Sequence, residues 1–80
     1  MTHTEIIDKI TPVFRKVFND ANLLLYMDSS AADFDKWDSI NHVILMARIE
    51  RLLNIKIDTA ELIQLKSVGD LVNLIAIKVD

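Results

Sequence analysis

An all-α fold, a four-helix bundle with a long first loop and a short third helix, is what this sequence predicts, and three features lead there. Apolar residues recur at intervals of three and four instead of alternating. Glycine and proline, the usual breakers, occur once each, as Gly69 and Pro12. Cap-forming residues stand at fixed offsets ahead of the apolar runs. At 80 residues the chain closes one core, so residues 1–80 are expected to form one domain. Its surplus stability should be only about 3–5 kcal/mol.

Ile6, Ile7, Ile10, Phe14, Val17 and Phe18 make one stripe of a first helix, with Thr2 and Glu5 spaced as a capping box. Pro12 removes a backbone donor within it and predicts a kink or a late helix start. From Asn19 to Trp37 the periodicity dissolves into a long loop with a turn at Asp28-Ser29-Ser30 and room for one short helical turn. Leu24, Tyr26, Phe34 and Trp37 are its candidates for packing across the helices, with Met27 and Met46 as gap-fillers.

A second helix starts at Asp38 or Ser39 and runs to Leu53, with Asn54 as a left-handed C-cap and Leu45, Ile49, Leu52 and Leu53 facing the core. A short third helix is expected at about Thr59 to Leu65, where Asp58 and Glu61 have capping-box spacing. The fourth spans about Val68 to Lys78. Ser67 caps it, Asp70 sits in its first turn, and Leu71, Leu74, Ile75 and Ile77 supply its apolar stripe.

Composition removes several function classes. With no cysteine, the side chains offer no disulfide, thiolate metal site or thiol nucleophile, which fits a reducing cytoplasm. No apolar stretch approaches the roughly 20 residues that span a bilayer, and the first residues lack the zones of a signal peptide. A net charge of −3 without a clustered basic face argues against nucleic acid. Asp28, Asp33, Asp35 and Asp38 have the composition of a calcium loop but not its central Gly and final Glu, so no metal site is expected.

The stretch Trp37-Asp38-Ser39-Ile40, leading an amphipathic helix that ends near Leu53, resembles the attachment motif of acyl carrier proteins, whose usual form is Asp-Ser-Leu. Ile40 keeps the bulk of the usual Leu. Lys66-Ser67-Val68-Gly69-Asp70-Leu71-Val72 is similar to the family's opening of its last helix, and the order of elements agrees along nearly the whole chain. The resemblance implies a carrier, not an enzyme, with no catalytic residues of its own. Its Ser39 would receive 4′-phosphopantetheine from coenzyme A through a phosphopantetheinyl transferase and then carry acyl or aminoacyl cargo as a thioester. Asp38 would support the transfer. Further partners would be cargo-loading and cargo-using enzymes: an acyltransferase, an adenylating ligase or a synthase. A cytoplasmic monomer is expected. A serine at a helix start suits a phosphodiester, because unpaired backbone donors and the positive end of the dipole favour an anion.

Two other classes stand beside this reading. Asp38-Ser39 ahead of an apolar run can be simply a helix cap on a protein-binding adaptor without a prosthetic group. Ser39 with His42 and Asp35 or Asp38 could be imagined as a hydrolase triad, although no Gly-x-Ser-x-Gly elbow is present. The sequence also departs from the family's fatty-acid carriers, which display acidic second helices. Here Asp38 and Glu50 are matched by Arg48 and Arg51, and Ile44 stands where an acid is common. That cancellation predicts docking through Ile40, Val43, Ile44, Ala47 and Arg48 that rests on apolar contact more than on charge, is spared by salt, and serves a specialised pathway.

Overall fold

The computed structural model describes residues 1–79. Four helices, α1 (His3–Val17), α2 (Ser39–Leu53), α3 (Thr59–Gln64) and α4 (Val68–Val79), follow one another, with a single 3-10 turn at Ala31–Asp33 inside the long loop. Among the described residues the only ladder pairing is an isolated bridge between Ser30 and Ser67.

Each helix begins where a side chain satisfies its orphan donors. Thr2 Oγ1 accepts from the Glu5 amide at 3.1 Å while Glu5 Oε1 accepts from the Thr2 amide at 2.9 Å, the reciprocal box. The Asp38 carboxylate accepts from the Asn41 amide at 2.8 Å, and Ser67 Oγ from the Asp70 amide at 3.1 Å. Glu61 Oε1 accepts from the Asp58 amide at 3.0 Å. At the other end of α2, Asn54 takes the left-handed conformation (φ 54°) and donates its amide to the Glu50 carbonyl.

Pro12 neither delays nor divides α1, which runs unbroken from His3. The donor it lacks would have served the Asp8 carbonyl one turn earlier; both residues are exposed, so water can take that place.

α1 packs on both α2 and α4, and the buried side chains form one cluster. Ile6, Ile10 and Phe14 of α1, Leu45, Met46 and Ile49 of α2, and Val68, Leu71, Val72 and Ile75 of α4 are essentially inaccessible. Two helix positions expected in the core are not there. Leu52 is 52 % exposed and Ile77 is 76 % exposed. On a helix of 3.6 residues per turn Ile77 lies about 180° from Val68, and Leu52 falls at the margin of the face centred on Ile49. Val68 and Val72 complete the α4 stripe in place of Ile77.

The loop contributes Leu23, Leu25 and Trp37 to the core while Leu24 and Tyr26 point outward, the alternation of an extended segment. Trp37 meets Phe14 edge-on, with centroids 5.3 Å apart and planes at 84°, and packs with Phe18 and half-buried Phe34. Such aromatic pairs add about 0.5–1.5 kcal/mol to the burial itself. The loop is tied to the start of α4 by the Val68 and Gly69 amides, which donate to the Ser29 and Met27 carbonyls at 2.7 and 2.8 Å. It therefore holds its end, and the start of α2 that follows, in a set place.

Candidate functional site

Ser39 is the first residue of α2 and is exposed. Its approach is fixed from both sides. The Asn41 side-chain amide donates to the Lys36 carbonyl at 2.7 Å, and the Trp37 indole N–H donates to His42 Nδ1 at 2.8 Å. The chain entering the helix is thus clamped by side chains one turn inside it, and Asp38 caps the same end. The Asn41 amide is taken by the Asp38 cap, and the positive end of the helix dipole lies at Ser39, which favours an anionic group there.

His42 does more than pack. Its ring stacks on Trp37 with the planes 29° apart, and its Nε2 lies 3.0 Å from the Leu62 carbonyl of α3. Because the indole N–H occupies Nδ1, that nitrogen is the acceptor and Nε2–H donates to Leu62. One imidazole thereby joins the loop, α2 and α3. Both ring nitrogens are spent on structure, so His42 is not a base for Ser39, and the hydrolase triad falls away.

Beside Ser39, α2 and α3 leave an open groove of about 380 Å3 lined by Ala31, Ser39, His42, Val43, Leu62 and Ile63, among others. Ile63 is 70 % exposed. An exposed serine bordered by an apolar cleft fits an arm that leaves the helix start and lies along the protein. The Ala31, Leu62 and Ile63 contributions were missed in sequence; the apolar run Leu62-Ile63 on a helix too short to bury both sides was the available signal.

The partner residues expected on α2 are all exposed and stand at i, i+3, i+4, i+7 and i+8, a helix face that borders two grooves. Ile40 is 74 % exposed. Val43 opens onto the groove with Ser39, whereas Ile44, Ala47 and Arg48 open onto a separate groove between α1 and α2. The charges that cancel in the count along α2 are spread unevenly around the helix. Asp38 is committed to its cap, and half-buried Glu50 turns Oε2 to accept the Ile57 amide at 2.8 Å. Arg48 and Arg51 are exposed and line, with Lys16, a groove that no acid lines.

Among the described residues no group of three or more His, Asp or Glu side chains is placed to hold a metal, and no helix is long and apolar enough to cross a membrane. Glu61 pairs with Lys78 at 3.0 Å. Its acidity is raised, first by the Asp58 amide that it accepts and then by that lysine.

Comparison with known proteins bears on this geometry. The family model described as a phosphopantetheine attachment site matches residues 27–75, the span from the loop through α2 and α3 into α4. No curated protein matches the chain. Among solved structures, the solution NMR structure of a holo acyl carrier protein from Geobacter metallireducens superposes with a TM-score of 0.85 at 42 % identity, covering 91 % of this chain and 84 % of that one. A family model spanning the whole serine-bearing half of the bundle, joined to a relative that shares both fold and sequence over nearly the full length, leaves one assignment: the chain belongs to the acyl carrier protein family, the carriers of covalently attached 4′-phosphopantetheine.

Proposed function

We propose that Ser39 is the attachment residue of this carrier and that residues 1–80 act as one carrier domain. The observation that carries the assignment is the placement of an exposed serine at the capped start of α2, beside an apolar groove. In the loading reaction the Ser39 Oγ–P bond forms as the phosphoanhydride of coenzyme A breaks; the adenosine bisphosphate leaves with the electron pair, and the serine proton passes to a base of the transferase. The attached group supplies a flexible arm ending in a thiol, which holds the acyl cargo as a thioester. The chain has no cysteine, so no side-chain thiol competes for that cargo.

The protein's own residues orient and shelter; they do not catalyse. Asp38 caps the helix start through the Asn41 amide and, as the residue preceding Ser39, supports transfer. Trp37 and His42 keep the approach to Ser39 in register. Val43, Leu62 and Ile63 offer apolar surface along which the arm can rest. Ile40, exposed next to Ser39, meets the enzymes that load and unload the carrier, while Ile44, Ala47 and Arg48 extend that contact along α2. These enzymes are the phosphopantetheinyl transferase and a cargo-loading and cargo-using set, which for this chain we assign to a specialised pathway because α2 lacks an acidic face. A monomer in the cytoplasm completes the proposal.

The test is intact-mass measurement after incubation with coenzyme A and a transferase. Wild type gains one phosphopantetheine, and Ser39→Ala gains none while keeping its helical signal. A gain in the variant, or modification at Ser29, Ser30 or Ser67, overturns the assignment.

A further inference from the structure

α1 and α2 leave between them an open groove of about 660 Å3 whose lining includes the apolar Val13, Ile44 and Leu52 and the basic Lys16, Arg48 and Arg51. The chain has 9 basic and 12 acidic residues, yet three basic and no acidic residues line this groove. Lys16, Arg48 and Arg51 are exposed, and none is paired with an acid among the described residues. No acid of α2 lines the groove. Glu50 keeps its charge but stands about 160° around the helix from Arg48, where its Oε2 accepts from the Ile57 amide, and Asp38 lies 13 residues before Arg51, about 20 Å along the helix and beyond the ~8 Å over which charge is felt at physiological salt.

We propose that this groove docks an acidic amphipathic helix of a partner protein. The proposal deepens the reading of α2 as a partner face and rests on it, but it does not depend on which serine bears the arm. Ile44, Arg48 and Leu52 stand at i, i+4 and i+8 on α2, a continuous stripe, with Val13 and Lys16 opposite them on α1. A helix laid along that stripe covers the apolar residues with its own apolar face and brings flanking carboxylates to the cations. The arginine and lysine stems add apolar surface while their heads stay in water. Charge also separates a helix from an anionic lipid surface. A helix is about 10 Å wide and meets mainly the groove cations, whereas an extended anionic plane would also meet the acidic remainder of a chain of net charge −3.

The experiment uses the full chain carrying Ser39→Ala, ¹⁵N-labelled, titrated with a synthetic helical peptide bearing Leu on one face and Glu on its flanks. The controls are the same peptide with every Glu replaced by Lys, and vesicles of anionic phospholipid. The Glu peptide should bind about tenfold tighter than the Lys peptide, from several exposed pairs of modest strength each. Its binding should weaken as salt rises and shift the amides of Val13, Lys16, Ile44, Arg48 and Leu52. Arg48→Glu with Arg51→Glu should reverse the preference between peptides. Lys16→Glu, on the other helix, should lower it independently of any local change in α2. Ile44→Glu, one turn before Arg48, should also weaken the Glu peptide by neutralising that arginine in place. Equal binding of the two peptides, shifts confined to other surfaces, or binding to the vesicles in preference to the Glu peptide overturns the proposal. Loss of docking with wild-type loading intact removes the groove reading alone. Loss of loading with docking intact removes the assignment of Ser39 alone.

Discussion

Gly69 donates its amide to the Met27 carbonyl at 2.8 Å, and a methyl group added to Gly69 would stand 2.7 Å from that same oxygen. The hydrogen bond that fastens the loop to α4 therefore requires a residue without a Cβ. Nothing in the backbone angle demands glycine, since Gly69 does not have a positive φ; the close approach of another backbone does.

Gly69→Ala is thus expected to destabilise the fold by about 1–3 kcal/mol, the range for overpacking against atoms that must shift. Helix propensity alone gives the opposite sign, a gain of about 1 kcal/mol for Ala inside a helix. Urea denaturation decides between them: a raised midpoint would show that the loop can move away without penalty.

Asp38 has two roles that substitution can separate. Asp38→Ala should cost about 0.5–2 kcal/mol through the lost cap and also slow loading of Ser39. Asp38→Asn caps nearly as well, so its stability should stay close to wild type while loading remains slow. Loading of the Asn variant at the wild-type rate would show that the negative charge is dispensable.

His42→Ala leaves the Trp37 indole N–H without its partner and takes one of two donors from the Leu62 carbonyl, which also accepts from the Leu65 amide. A loss of about 1–3 kcal/mol is expected, chiefly the cost of the unsatisfied indole N–H. Hydrogen exchange should rise in α3, which the imidazole holds. A double-mutant cycle with Trp37→Phe measures the coupling, and simple additivity of the two losses would rule out the bond as a source of stability.

The Glu5 and Glu61 carboxyls are both held below their ordinary value of 4.5, each chiefly by the backbone amide of its capping box. A depressed native pKa means that the stabilisation is present above 4.5 and is lost as pH falls through the lowered value. Glu61→Gln keeps an acceptor for the Asp58 amide but has no proton to bind, so its acid unfolding profile should be flatter than that of wild type in this window. An unchanged profile would mean that the capping carboxylate does not contribute to acid sensitivity.

The helices and their ends were legible in the sequence because their causes are local. Thr2 with Glu5, Asp38 with Asn41, Ser67 with Asp70, and Asp58 with Glu61 each satisfy a donor within three residues, so residue type and spacing suffice to find them. The serine-led helix could be read for the same reason. Faces and neighbours could not, because they depend on what packs opposite. Leu52 and Ile77 have core-like chemistry but lie outside the buried arc, and Leu23 and Leu25 go inward only because the loop is extended where it crosses the helices. Counting charges along α2 gave zero; folding turned Glu50 toward Ile57, 7 residues on, and left the arginines facing outward beside Lys16. Hydrogen bonds within a turn are written in consecutive residues, whereas a groove, a clamp such as His42 between Trp37 and Leu62, or a glycine needed by a distant carbonyl exists only once separated segments meet.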